Sequence, residues 1–357
     1  MMTKKIRVLQ VINGAKPGGA ETFFLRLVKA FHQNDLGIDM LPVVREGAWL
    51  AEQLDTAGIP YKTAAFGGFF DRSTRKKITS YIEEWQPQVI QSWMNRATRF
   101  VPDVAIPKVA RLGGYYNLRY YRKMDHLVGN TQDICRYIKS KGWDGSRVHY
   151  IPNFAEEPPE DFKGLREDVR GRYGIRNRKC VVLLAGRLHE NKGFDLALYA
   201  LRSLPENIHF LIAGDGPQRA VLESVVEADN LQDRVTFAGW VPHISPLAAA
   251  ADIWLAPSRI EPLGNIVLDA WAHKIPIIAS NVVGPMSLIR DGEDGLLIPL
   301  EDDKAMIHAI EQLANDAEKR MSMAAKGYET FQEKFTPDVV MKQYVEFYEK
   351  LTESRIK

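Results

Sequence analysis

Apolar residues fall along the chain in short continuous runs, not in simple alternation. Residues 6–13, IRVLQVIN, form a run of strand length. The segment GAKPGGA, 14–20, breaks it, and in 21–33 Phe24, Leu27, Val28 and Phe31 recur at helical spacing. Runs at 88–93 and 126–131 predict further strands, with helical stretches at 47–57, 73–85 and 132–142. Strands that are apolar throughout, joined by helices, predict a parallel sheet covered on both faces.

The segment 151–164, IPNFAEEPPEDFKG, combines three prolines with a run of acidic residues and little periodicity, and reads as an interdomain linker. The pattern then restarts. Strands are expected at 180–186, 208–214, 235–240, 252–257, 275–280 and 295–300, with helices at 193–203, 217–229 and 264–274. The expected fold is α/β: two Rossmann-like parallel-sheet domains, 1–155 and 156–335, facing each other across a cleft, with ligands beyond the carboxyl ends of the strands. A last helix over 335–351 carries Val340, Tyr344, Phe347 and Leu351 on one face, and by pattern alone it fits either domain.

A length of 357 residues suits two such domains. Hydrophobic residues at 45% and charged residues at 26% exclude a disordered or low-complexity chain. No window is apolar enough for a membrane span, and the run at 6–12, interrupted by Arg7 and Gln10, lacks a cleavage site for a signal peptide. The two cysteines, Cys135 and Cys180, are far apart. That excludes a disulfide scaffold and a Cys-based zinc site, and fits a reducing, cytoplasmic setting. Residues 1–150 hold 23 Lys or Arg against 13 Asp or Glu, and the remainder 24 against 32. A basic first half fits an anionic partner, although an unevenly charged solvated surface gives the same numbers.

Four turns carry candidate chemistry. In the first, Pro17-Gly18-Gly19, the two glycines let backbone approach a ligand, and the following helix N-terminus suits a phosphate, but a purely structural glycine turn reads the same way. In AGRLHENKGFD, 185–195, Arg187 and Lys192 stand at a strand end, where two cations can neutralise a diphosphate or be ordinary surface charges. The turn GDGP, 214–217, reads mainly as a tight strand-to-helix connection. The most informative stretch is 257–280. Leu263, Gly264 and Asn265 offer amides at a helix N-terminus, flanked by carboxylates at Glu261 and Asp269 that suit sugar and ribose hydroxyls. Asp269 also reads as helix decoration.

In this order, GGAE (18–21), GRLxxxKG (186–193), GDGP (214–217), FxGW (237–240) and PSxxEPLGNxxLDA (257–270) resemble the retaining glycosyltransferases of the GT-B fold, family 4. Within that family the chain is most similar to bacterial enzymes of lipopolysaccharide core and surface polysaccharide synthesis. The resemblance implies that Arg187, Lys192 and the backbone at Gly18 and Gly19 bind a donor diphosphate. It also implies that Glu261 holds donor-sugar hydroxyls, that Leu263, Gly264 and Asn265 bind sugar or phosphate through backbone, and that Trp240 and Val241 lie near the base. Glu261, Arg187 and Lys192 are the expected catalytic set. The final helix, 336–357, would cross back to the first domain. The chain departs from the family twice. Asp269 stands where the family has a second glutamate. The stretch 109–121 lacks the histidine often found there, so that Gly113, Gly114 and Tyr115 are left to line the acceptor side.

No Asp-x-Asp pair occurs, so a metal clamp on the diphosphate is not expected, and no cofactor is expected. No second carboxylate stands out as a nucleophile, which favours attack on the face the leaving group vacates, with retention. The expected partners are a nucleotide diphosphate sugar, a UDP-sugar before others, and a glycan or glycolipid acceptor. The basic stretch 72–123, interleaved with tyrosines, admits peripheral contact with anionic membrane at its inner face. Nucleic acid is not expected, because no binding motif accompanies that stretch and the acidic half would repel a polyanion. The alternatives are a nucleotide-sugar-binding module without transferase activity and a nucleotide-dependent Rossmann enzyme. The latter is disfavoured by the missing GxGxxG.

Overall fold

The computed structural model describes residues 5–16, 18–68, 71–175 and 180–353; Pro17 of the first turn lies outside them. The chain forms two compact units, Met1–Phe154 with Pro337–Lys357, and Ala155–Thr336.

In the first unit the elements run β1 (Ile6–Val11), α1 (Gly19–Gln33), β2 (Ile38–Arg45), α2 (Trp49–Thr56), β3 (Lys62–Ala64), α3 (Ser73–Trp85), β4 (Val89–Trp93), α4 (Met94–Thr98), β5 (Lys108–Leu112), β6 (His126–Gly129), α5 (Gln132–Ser140) and β7 (Val148–Tyr150). Their strands make one seven-stranded parallel sheet in the order β3-β2-β1-β4-β5-β6-β7. In the second unit come α6 (Arg166–Arg172), β8 (Cys180–Ala185), α7 (Phe194–Leu201), β9 (Ile208–Ala213), α8 (Arg219–Ala228), β10 (Val235–Gly239), α9 (Ser245–Ala250), β11 (Ile253–Ala256), α10 (Asn265–Ala272), β12 (Ile277–Ser280), α11 (Val283–Met286), β13 (Leu296–Ile298), α12 (Asp303–Asn315) and α13 (Ala317–Lys334). Its sheet has six parallel strands in the order β10-β9-β8-β11-β12-β13.

The second sheet shows why the strand runs are apolar throughout. In β8, Val182 and Leu184 pack with α7 and α12 on one face, while Val181 and Leu183 pack with α10 and Phe331 of α13 on the other. Both faces are dry, so alternation is lost. Each sheet reverses strand order once, at β1/β4 and at β8/β11. There the loops leave the strand ends in opposite directions and open a crevice.

The last helix, α14 (Pro337–Glu353), belongs to the first unit. Its Val340, Tyr344, Phe347 and Leu351 share a core with Phe24, Val28 and Trp93. A polar network seats it. The buried Tyr348 hydroxyl accepts from Gln10 Nε2 at 3.2 Å and donates to Gln91 Oε1 at 3.0 Å, and Trp93 Nε1 donates to Gln10 Oε1 at 2.8 Å.

Some elements escape the hydrophobic pattern. Strand β5 is fully buried yet carries Lys108 and Arg111. Burial pulls down the proton affinity of the Arg111 guanidinium, which has no carboxylate partner among the described residues. It donates instead to Ile151 O at 3.0 Å and Asn153 Oδ1 at 2.5 Å, and stacks on Phe23 and Trp93. Strand β2 is broken up in sequence by Asp39 and Pro42.

Two predictions follow from this packing. Tyr348→Phe removes the hydroxyl that accepts from Gln10 Nε2 and donates to Gln91 Oε1, and is expected to lower the stability of the first unit by about 1–3 kcal/mol, read from the urea midpoint. The second concerns His126 and His149, whose Nδ1 and Nε2 lie 3.0 Å apart against Phe347. Burial, with the neighbouring His126, Lys350 and Lys139, pulls His149 down to about 4, and burial and Arg147 lower His126 against the opposing pull of Asp125. The unfolded histidine, near 6.5, therefore takes up its proton first. The stabilisation is complete above about pH 6.5 and is lost as pH falls toward 4, so stability should drop between urea melts at pH 7 and pH 5, less so in His149→Gln.

Candidate active site

At the β8/β11 switch point of the second unit, two loops are locked together by backbone. Gly193 holds φ +67, and a Cβ there would stand 2.0 Å from the Pro257 carbonyl oxygen, so only glycine lets the loop after β8 touch the end of β11. The amides of Arg259 and Ile260 both donate to Asn191 O, at 2.8 and 3.2 Å. The Arg259 side chain adds a staple to Asp195 at 2.7 Å, to Glu301 at 2.6 Å and to the Glu190 carbonyl at 2.9 Å, and so holds the Asp195 carboxyl below its ordinary range.

This lock brings Lys192 onto Glu261, with Nζ 2.5 Å from Oε2. The Glu261 side chain is 10% exposed and that of Lys192 30% exposed. A carboxylate so buried needs several partners. Its other oxygen accepts from the Gly264 amide at 3.3 Å, and its main-chain carbonyl accepts from the Gly284 amide at 2.8 Å. Gly264, with φ +68, caps α10 at its N-terminus, so cation, carboxylate and helix N-terminus converge on one strand end.

The remaining sequence candidates of this unit surround that centre to different degrees. Arg187 is exposed and makes no hydrogen bond or ion pair among the described residues. Leu263 and Asn265 are half-buried beside Gly264. Asp269 is half-buried one turn further into α10. Trp240, 71% exposed, follows β10, and Val241 packs beside the core. The GDGP turn serves loop closure. A Cβ at Gly214 would stand 1.9 Å from Gly186 O, and one at Gly216 2.4 Å from Leu188 O.

In the first unit, Gly18 and Gly19 are exposed at the start of α1. The Glu21 carboxylate approaches Gly18, 2.8 Å from where a Cβ would be. Past β5, Gly113 is half-buried and Gly114 buried. Tyr115 is exposed, donates its hydroxyl to Asp133 and stacks edge-on against Tyr137; burial and that carboxylate push its phenol pKa up. Arg259 and Gly284 were not anticipated as site-builders. The signal for Arg259 was present, since it lies inside the motif at 257–270. That for Gly284, in VVGP (282–285), was not.

Crossed loops at the carboxyl switch point of a doubly wound sheet, with a cation, a buried carboxylate and a capped helix start, define a site of the nucleotide-binding α/β class. Comparison with known proteins narrows this. Residues 179–316 match the model of the family described as glycosyl transferases group 1. The chain is 30% identical over 337 residues to the lipopolysaccharide core biosynthesis glycosyltransferase LpsE of Rhizobium meliloti, covering 93% of this chain and 96% of that protein. It is also 30% identical over 353 residues to LpsD of the same organism, another lipopolysaccharide core biosynthesis glycosyltransferase, covering 97% of this chain and 98% of that protein. Among solved structures, HepE of Anabaena, crystallised with UDP and glucose, superposes with a TM-score of 0.82 at 20% identity, over 97% of this chain and 100% of that one. The chain belongs to the group 1 glycosyltransferases and has the two parallel-sheet domains of the GT-B fold.

Gly284 packs directly against the 261–264 turn. A Cβ there would stand 2.3 Å from Glu261 O and 2.6 Å from Gly264 N. Gly284→Ala is therefore expected to push out the 261–264 turn at a cost of about 1–3 kcal/mol, read as a fall of several degrees in Tm by calorimetry; an unchanged Tm would mean that this contact is not under constraint.

Proposed function

We propose that the chain transfers a hexose-type sugar from a nucleotide diphosphate sugar, a UDP-sugar before others, to a glycan or glycolipid acceptor in lipopolysaccharide core or surface polysaccharide synthesis. The observation that carries this reading is the Lys192–Glu261 pair beside the N-terminus of α10. The names of LpsE and LpsD support the pathway, and the UDP and glucose bound by HepE support the donor.

In this reading Arg187 and Lys192 neutralise the diphosphate, helped by the amides of Leu263, Gly264 and Asn265. Glu261 holds sugar hydroxyls, and by bonding Lys192 it fixes the ammonium between sugar and phosphate. Asp269 accepts from ribose hydroxyls, and Trp240 and Val241 lie beside the base. The transfer breaks the bond between the anomeric carbon and the diphosphate oxygen and forms one from that carbon to the acceptor oxygen. The acceptor proton passes to the departing diphosphate, whose charge the two cations stabilise. Attack on the vacated face retains the anomeric configuration, and the cations do the work of a metal.

Among the described residues no helix is long and apolar enough to cross a membrane. The basic side chains of Arg72, Lys76, Lys77, Arg96, Arg122 and Lys123 are proposed to meet anionic headgroups or acceptor phosphates electrostatically.

Arg187→Ala and Lys192→Ala are each expected to lower turnover by about 10²-fold or more, measured as nucleotide release from UDP-glucose. Near wild-type rates in both would remove the diphosphate assignment. NMR of the first-formed product should show the donor's anomeric configuration; inversion would rule out same-face attack.

A further inference from the structure

The first unit has its own switch point, between β1 and β4, and the donor reading leaves the polar groups there unused. Glu21 stands in the first turn of α1, half-buried and without an ion pair among the described residues. A carboxylate at a helix N-terminus ordinarily titrates low. Here burial outweighs its own backbone hydrogen bond and pushes the carboxyl up. A partly desolvated anion with no cation is a group waiting for a donor.

Tyr116 lies within its electrostatic reach: burial, and then the Glu21 charge, raise the phenol. The Tyr116 hydroxyl has no hydrogen-bond partner among the described residues, yet the residue is fixed in place. Its carbonyl accepts from the Tyr137 hydroxyl at 2.9 Å, its ring centroid is 6.5 Å from that of Tyr121, and the ring stands 3.7 Å from where a Cβ of Gly114 would be. Tyr121 is itself tied to Asn95, next to Met94, a non-glycine residue held at φ +58 where β4 ends. Further along the same sheet edge, the amide oxygens of Asn13, just past β1, and Asn130, just past β6, are buried and have no hydrogen-bond partner among the described residues. Acceptors without donors thus line the carboxyl edge of this sheet.

We propose that Glu21, after β1, together with Tyr116, after β5 on the same sheet edge, binds a hydroxyl of the acceptor sugar, so that the acceptor is uncharged at that point. This assignment presupposes the transferase activity proposed above. A phosphate would be repelled by the carboxylate, whereas a sugar hydroxyl donates to it and can accept from the phenol. Ionised Glu21 is the stronger acceptor, so acceptor use should fall as pH drops through its raised pKa.

The test uses the full chain, UDP-glucose as donor and a delipidated lipopolysaccharide core oligosaccharide as acceptor, with UDP affinity measured separately by calorimetry. Glu21→Gln is expected to raise the acceptor KM about tenfold or more and to flatten the acid limb of kcat/KM for acceptor, while the UDP Kd stays within about twofold. Tyr116→Phe should shift the acceptor KM in the same direction, and circular dichroism melts of both variants should match wild type. An acceptor kcat/KM within about twofold of wild type in Glu21→Gln, or a UDP Kd that weakens as much as the acceptor KM, would overturn the assignment. A wild-type chain that binds no UDP would instead overturn the donor reading, an outcome that calorimetry separates from the first.

Discussion

A buried carboxylate must be paid for by its neighbours, and the site of the second unit is organised around that requirement at Glu261. Its side chain is almost fully enclosed; Lys192 and the Gly264 amide meet the carboxylate, while the Gly284 amide holds the main-chain carbonyl of the same residue. Removing one partner from such a group leaves an uncompensated buried charge, a loss of several kcal/mol in general. The glycines at 193, 264 and 284 follow from the same demand, because each stands where a Cβ would drive into neighbouring backbone or a packed side chain. The constraint places an ammonium and a helix start side by side before any ligand arrives, the preorganised charge that the proposed transfer requires for a departing diphosphate.

The first unit meets a different constraint. Its sheet takes a polar network across the buried face, and α14 is bound to it through Tyr348, Gln10 and Gln91. Arg111 holds the chain at 151–153 in the same manner, with carbonyls and aromatic faces in place of a carboxylate. These polar contacts fix where the chain leaves and re-enters the unit. Apolar packing alone would leave those positions less specified.

Much of this was legible in the sequence where local chemistry and local pattern agree. The apolar runs of β1, β4, β8, β9, β11 and β12 announce a doubly covered parallel sheet, and the family motifs resemble those of the group 1 enzymes to which the chain belongs. Lys192, Glu261 and Gly264, separated along the chain, do come together. What escaped was set by tertiary contact. Strand β5 looks polar because Lys108 and Arg111 find partners far away in sequence. Gly284 carries no local mark of its closeness to Glu261. At Gly18 and Gly19 the glycine turn is legible, but the approach of the Glu21 carboxylate to Gly18 is not. The acidic linker reading of 151–164 likewise missed that Phe154 packs on Phe23, with ring centroids 5.1 Å apart.

The central claim, that the Lys192–Glu261 strand end receives a nucleoside diphosphate, is tested most directly by a crystal structure of the chain soaked with UDP. The account predicts diphosphate oxygens within hydrogen-bond distance of the Arg187 guanidinium, the Lys192 ammonium and the first amides of α10. UDP bound away from these groups, or a diphosphate that leaves Lys192 and the α10 amides untouched, would contradict it.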